Sequence, residues 1–149
     1  MIIDLCSGAG KWTEDTVSID INPKVRPTIV ADVRHLPLRK GIKPKRVHAS
    51  PPCTYLSFAR ERWGYPPRLV AENLEIVAAC FRAFAWLEPE SWTLENPKGI
   101  LTRVVPPSAW TEYETNGEFY HKRTAFYSNN RALKRALIPQ EVRQRILES

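Results

Sequence analysis

Short segments of apolar or alternating residues, each closed by turn-forming residues, occupy much of the first hundred positions. Gly, Pro or Asn-Pro ends most of them, so they are predicted to be short buried strands. These segments span residues 2–6, 16–21, 27–33, 46–50 and 92–94. A longer stretch, 68–87, follows two prolines and repeats apolar side chains at helical spacing, which predicts one helix packed on a sheet.

The pattern beyond residue 100 is less regular. Residues 125–128 predict a strand paired with 110–113, and residues 139–147 predict a closing helix. Strands with a helix returning between them predict an α/β fold, with a mostly parallel sheet and an antiparallel edge. Without an internal repeat or a linker, residues 1–149 are expected to form a single domain.

The connection between the first two predicted strands is unusually short. The second predicted strand begins only six residues after Gly10, at residue 16, whereas a crossover between parallel strands normally needs ten or more residues. The first helix of the fold is therefore expected to be shortened to one turn or lost.

Composition narrows the class of protein. With 149 residues and 43% hydrophobic residues, the chain can bury a core. It has no long apolar run and no signal-peptide pattern, which predicts a cytoplasmic protein without a membrane span. Its three cysteines and three histidines lack metal-ligand spacing, so no metal is expected. The net charge of +6 favours a polyanionic partner such as nucleic acid, although many soluble domains are basic.

Acidic residues and glycines follow the first three predicted strands. Ligands bind at the carboxyl ends of strands in an open parallel sheet, and glycines let the backbone approach a ligand closely. Asp4, Gly8 and Gly10 lie at the first strand end. Asp20 ends the second, where a carboxylate can accept ribose hydroxyls, and Asp32 ends the third, where one can accept an adenine amino group. Each aspartate alone could equally be a loop or turn-capping residue.

Two further motifs carry chemistry suited to a pyrimidine ring. Ser50-Pro51-Pro52-Cys53 supplies a thiol, and Glu95-Asn96-Pro97 supplies a carboxyl group. A thiolate can add to C6 of cytosine while a carboxyl group beside N3 holds the ring, which makes C5 nucleophilic enough to accept a methyl group. Arginines in the following loop could activate the thiol; they are Arg60, Arg62 and Arg68. The alternatives are a small buried cysteine and a turn-capping glutamate.

Together with Asp4-Leu5-Cys6-Ser7-Gly8-Ala9-Gly10, these motifs resemble those of the cytosine-C5 DNA methyltransferase family, in particular its short phage-type and archaeal-type members. The resemblance implies a Rossmann-like methyltransferase fold, S-adenosyl-L-methionine as cofactor, and methyl transfer to C5 of cytosine in DNA. It implies that Cys53 is the nucleophile and that Glu95 contacts N3 of the cytosine. It also implies a catalytic role for Arg123, in a basic segment that would hold the base; the alternative for this segment is a solvated turn. The cofactor residues that it implies are Asp4, Leu5, Cys6, Ser7, Gly8, Gly10, Asp20, Ile21, Asp32, Val33, Ser50 and Pro51.

The chain departs from the family at several points. Pro97 stands where the family usually has valine, and Thr54 where glutamine is common. The 22 residues between Gly99 and Lys122 are too few for a target-recognition domain, which implies a homodimer, a partner subunit or loose specificity. The loop 54–67, which would be the catalytic loop, mixes aromatic and basic side chains that suit contact with an extruded base.

Three other functions remain open at this stage. Ser-Pro-Pro followed by an aromatic residue serves methylation of exocyclic amino groups, at N4 of cytosine or N6 of adenine, but the fourth residue here is Cys53. The substrate could be RNA instead of DNA. The chain could also be a catalytically inactive remnant that only binds nucleic acid.

Overall fold

Seven strands of the described chain form one mixed sheet, and a long helix packs against it. The computed structural model describes residues 1–10, 12–114 and 121–130. The strands are β1 Ile2–Leu5, β2 Thr16–Asp20, β3 Ile29–Val30, β4 Arg46–Ala49, β5 Ser91–Pro97, β6 Ala109–Glu114 and β7 His121–Ser128. The helices are α1 Pro67–Leu87 and α2 Ile100–Val104, with short 3-10 turns at Pro23–Val25, Val33–His35 and Phe58–Trp63.

The order of the strands in the sheet is β3-β2-β1-β4-β5-β7-β6. The first five strands are parallel, and β7 runs antiparallel to both of its neighbours, β5 and β6. The predicted α/β fold with an antiparallel edge is therefore confirmed. The two strands predicted to pair after residue 100 do pair, but residues 110–113 lie opposite 122–125 and not 125–128, because β7 begins earlier than predicted and its end pairs with β5. Because the strand order reverses between β1 and β4, a crevice for a ligand is expected at the carboxyl ends of these two strands.

One face of the sheet is apolar and packs against α1. Ile3, Val47 and Trp92 lie beside one another on β1, β4 and β5. The Trp92 ring stacks on Phe84 at 4.7 Å between ring centroids and meets Phe81 edge-on at 5.7 Å. Since both phenylalanines belong to α1, every second residue of these strands faces the helix.

The opposite face carries a row of polar side chains. Ser18, Asp4, His48 and Thr93 are aligned across β2, β1, β4 and β5, and each is at most 4% exposed. Parallel strands are usually apolar on both faces. The ring of Trp12, from the β1–β2 connection, lies 4.4 Å from that of His48, which places this connection on the polar face.

Several boundaries differ from the predicted ones. β3 is shorter because the Asp32 carboxylate accepts the Arg34 amide and starts a 3-10 turn at Val33. β5 is longer because its pairing with β7 continues to Pro97 and Thr124. The helix α2 was not predicted, since its five residues are too few to show a helical period.

The connection from β1 to β2 fits the predicted loss of the first helix. Its described residues, 6–10 and 12–15, form turns and bends without a helix. The predicted closing helix at 139–147 lies outside the described residues. Among the helices within the described ranges, none is long and apolar enough to cross a bilayer.

Packing of the sheet on α1 predicts a large stability effect at Leu94. This side chain is fully buried between Ala49 and Tyr127 in the sheet. We expect Leu94→Ala to lower the free energy of unfolding by about 2–5 kcal/mol, because it leaves a cavity. Val104→Ala, at a position that is 68% exposed, should change it by less than about 0.5 kcal/mol. Urea unfolding of both variants measures the difference, and equal effects would contradict the proposed packing.

Candidate active site

The glycine turn after β1 is held in place by the end of β2. The Gly8 amide donates a hydrogen bond to Oδ2 of Asp20 at 2.9 Å, and the Asn22 amide donates to Oδ1 at 2.8 Å. Gly8 has a φ of 59°, in the left-handed region that glycine adopts without a steric penalty. Each oxygen of Asp20 keeps a second acceptor position. Asp20 therefore fixes the turn and can still accept two hydroxyl groups.

A cavity of about 90 Å³ opens at the carboxyl ends of β1, β2 and β3. Five of the predicted cofactor residues line it: Cys6, Asp20, Ile21, Asp32 and Val33. Pro52, in the loop after β4, and Ile76, on α1, add apolar surface to the cavity wall. The sequence did not indicate this role for Ile76, because that residue reaches the cavity only through the packing of α1. The cavity thus combines apolar walls with two carboxylates at its edge.

The guanidinium of Arg34 donates hydrogen bonds to both carboxylate oxygens of Asp32. Its Nε lies 3.0 Å from both oxygens, and one Nη lies 2.6 Å from Oδ2. This hydrogen bonding from the guanidinium lowers the pKa of Asp32 below its ordinary value. With the Arg34 amide also on Oδ1, an adenine amino group would have to displace one of these bonds. Adenine recognition by Asp32 stays a prediction, and Arg34 is a cavity residue that the sequence did not single out.

The ends of β1 and β4 are joined at the point where the strand order reverses. The Ser50 amide donates to the Leu5 carbonyl at 3.1 Å, so two predicted cofactor residues lie together. The Ser50 hydroxyl lies 3.0 Å from Nε2 of His48, whose Nδ1 lies 2.8 Å from the Thr93 hydroxyl. His48 was missed as a site residue because only the strand register reveals its position beside Asp4.

The remaining predicted cofactor residues do not line the cavity. They are Asp4, Leu5, Ser7, Gly8, Gly10, Ser50 and Pro51. A Cβ built at Gly8 or Gly10 would meet no atom of the described residues within 4 Å. With respect to the described part of the chain, there is consequently open space at these two glycines.

Cys53 lies in a tight turn one residue after the cavity wall. Its carbonyl accepts hydrogen bonds from the Leu56 amide at 2.9 Å and the Ser57 amide at 3.0 Å. The side chain is partly exposed. Because Pro52 lines the cavity, the backbone of Cys53 continues directly from the cavity wall.

The turn that carries Cys53 is hydrogen-bonded to the segment that follows Glu95-Asn96-Pro97. The Ile100 amide donates to the Leu56 carbonyl at 2.8 Å, and the Phe58 amide donates to the Lys98 carbonyl at 3.1 Å. Between them, Gly99 lies so close to Leu56 that a Cβ would overlap its carbonyl oxygen. Glu95 itself is partly exposed and lies one residue past the part of β5 that pairs with β4, opposite Phe126 of β7.

Arg123 belongs to the same network of backbone contacts. The Lys98 amide donates to the Arg123 carbonyl at 2.8 Å. The exposed guanidinium of Arg123 lies over the Trp110 ring, 4.9 Å from its centroid. The three predicted catalytic residues, Cys53, Glu95 and Arg123, therefore lie on segments joined through 98–100 by backbone hydrogen bonds.

No model of a known protein family matches this sequence, and no curated protein matches it. The geometry of the site and the resemblance of its motifs are therefore the grounds for a function.

The contact of Gly99 with Leu56 predicts that this position tolerates no side chain. We expect Gly99→Ala to push the Cys53 turn away from β5, and to lower both the thermal stability and any activity that depends on Cys53. Gly64→Ala is the contrasting variant, because its φ is positive but its Cβ has free space. A Gly99→Ala protein with wild-type stability and activity would contradict the close contact.

The ion pair of Asp32 predicts a stability difference that depends on pH. A carboxylate with a lowered pKa stabilises the fold above the unfolded pKa of about 3.9, and this contribution is lost as the pH falls through the folded pKa. Arg34→Met should therefore lower the free energy of unfolding more at pH 7 than near pH 3, by a small amount because the pair is partly exposed. Urea unfolding at both pH values measures this. For Arg82→Met, at an exposed arginine, the difference from wild type in the free energy of unfolding should not shrink between pH 7 and pH 3. If the difference for Arg34→Met is the same at both pH values, the Asp32 ion pair is not its cause.

Proposed function

We propose that this chain is an S-adenosyl-L-methionine-dependent methyltransferase that methylates C5 of cytosine in DNA. The observation that carries the proposal is the backbone coupling of the Cys53 turn to the segment after Glu95, beside an apolar cavity with acidic edges. The mostly parallel sheet with an antiparallel edge supports the fold that the motif resemblance implies. The net charge of +6 supports a nucleic acid substrate.

The cavity and the glycine turn fit the parts of the cofactor. Ile21, Val33 and Pro52 offer apolar surface for a flat adenine ring. Asp20 keeps two free acceptor positions, one for each ribose hydroxyl. The open space beside Gly8 and Gly10 leaves room for the rest of the molecule. When bound, S-adenosyl-L-methionine supplies an electrophilic methyl group.

The residues of the chain have separate tasks in this reaction. The thiolate of Cys53 forms a bond to C6 of cytosine, and Glu95 holds N3 as charge builds on the ring. C5 would then form a bond to the methyl group while the bond from that methyl group to the cofactor's sulfur breaks. A base removes the C5 proton, the bond between C6 and sulfur breaks, and the thiolate of Cys53 is restored. Arg123 lies on the strand bonded to the Glu95 segment, where a cation can stabilise the bound base.

Trapping the covalent intermediate tests this proposal. DNA containing 5-fluorocytosine should form an adduct with the protein that survives denaturing electrophoresis and carries label from radioactive S-adenosyl-L-methionine, since fluorine at C5 blocks the final elimination. Cys53→Ala should abolish the adduct. Cys80→Ala, which alters a buried thiol of α1, should retain it.

Calorimetric titration with S-adenosyl-L-methionine separates the remaining outcomes. Cofactor binding without an adduct would overturn the C5 mechanism and favour an exocyclic amino group or an RNA target. Absence of cofactor binding would overturn the methyltransferase proposal and favour a nucleic-acid-binding remnant. An adduct that persists in Cys53→Ala would exclude Cys53 as the nucleophile.

A further inference from the structure

Three arginines stack on aromatic rings beside the Cys53 turn. The guanidinium carbon lies 4.3 Å from the ring centroid in the Arg60–Tyr55 pair, 3.8 Å in the Arg62–Trp63 pair and 4.7 Å in the Arg103–Phe58 pair. These residues define the arginine–aromatic cluster: Tyr55, Phe58, Arg60, Arg62, Trp63 and Arg103. The Trp63 ring is the most open of them, with 61% of the residue exposed.

The backbone fixes this cluster relative to the nucleophile. The 3-10 turn Phe58–Trp63 starts at Ser57, whose hydroxyl accepts the Ala59 amide at 3.2 Å. The Tyr65 hydroxyl donates to the Ser57 carbonyl at 3.1 Å. Because the Phe58 amide also bonds to the Lys98 carbonyl, the cluster spans the Cys53 turn and the segment before α2.

The guanidinium groups of Arg62 and Arg103 are exposed and remain available to a ligand, whereas Nε of Arg60 is buried. Among the described residues, the ion pairs of the structure join Arg34 to Asp32 and Glu75, and none involves Arg60, Arg62 or Arg103. A guanidinium that stacks on a ring keeps its N–H groups at the edge, where they can bind phosphate in a two-point contact. Aromatic rings on which bases can stack, next to guanidinium groups that bind phosphate, suit a nucleic acid strand whose bases are unpaired.

The described residues after Gly99 offer little that could read a duplex. The major groove is read by a helix or a two-stranded ribbon that projects from the protein. The helix α2 has only five residues, and the part of the β6–β7 pair that continues beyond the pairing with β5 is three residue pairs long, Glu112–Glu114 opposite His121–Arg123. In addition, extruding a base from a duplex costs a few kcal/mol that an unpaired base does not require.

We infer that the substrate of this site is single-stranded nucleic acid, whose unpaired bases stack on the arginine–aromatic cluster next to Cys53. This inference rests on the proposed function, since it names the form of that nucleic acid. The chemical group that the cluster would recognise is an unpaired base linked to phosphate. Single-stranded DNA and single-stranded RNA both contain this group.

Fluorescence anisotropy tests the inference without any methyl transfer. The probes are one labelled cytosine-containing sequence as single-stranded DNA, as single-stranded RNA and as duplex DNA, at a fixed salt concentration. Single-stranded DNA should bind at least about tenfold more tightly than the duplex. Tighter RNA binding would assign the substrate to RNA and retain the single-stranded form. Equal or tighter duplex binding would overturn the inference.

Variants of two exposed tryptophans locate the binding surface. Trp63→Ala should weaken single-strand binding roughly 5-fold to 100-fold through the lost stacking, and Trp63→Phe should recover much of it. Trp86→Ala is the matched control: Trp86 is also exposed and has Lys40 over its ring, but it lies in the last turn of α1, a helix about 30 Å long whose first turn follows Trp63 in the chain. Equal losses in Trp63→Ala and Trp86→Ala would overturn the placement at the cluster.

The two proposals fail in different ways. In Cys53→Ala, single-strand binding should persist although the adduct with 5-fluorocytosine is lost. Single-strand binding without an adduct in the wild type would reject the proposed reaction and keep the binding surface. An adduct that forms only with duplex DNA would keep the reaction and reject the single-stranded substrate.

Discussion

The parallel alignment of β2, β1, β4 and β5 is the constraint on which the rest of the structure depends. It brings the residues that follow four separate strands to one edge of the sheet. Residues that follow β1, β2 and β3 line most of the cavity, and Pro52, which follows β4, completes its wall next to Cys53 in the chain.

Backbone hydrogen bonds, more than side-chain pairs, hold these loops together. The Ser50 amide bonds to the Leu5 carbonyl, and the Ile100 amide bonds to the Leu56 carbonyl. Backbone contacts of this kind depend little on which side chains occupy the loops. The loops can therefore keep chemically special residues such as Cys53 partly exposed while their backbone stays fixed.

The two faces of the sheet have different tasks. The face toward α1 is packed with apolar and aromatic side chains and supplies most of the stability by burying surface. The other face carries the polar row that includes Asp4 and His48, whose groups are buried and need hydrogen-bond partners. The links from His48 to Ser50 and Thr93 show how this row extends to the site.

The sequence by itself determined the strands, the helix α1 and the residue types suited to the chemistry, because periodicity, turn residues and motifs such as the one ending at Cys53 are local properties. Only the tertiary structure decided that the Arg34 guanidinium is hydrogen-bonded to the Asp32 carboxylate and that Gly99 contacts Leu56. It also decided that the strand register places His48 beside Asp4. Arg34 is near Asp32 in the chain, but its rotamer depends on the turn. The other contacts join residues more than forty positions apart, and packing rather than local pattern selects them.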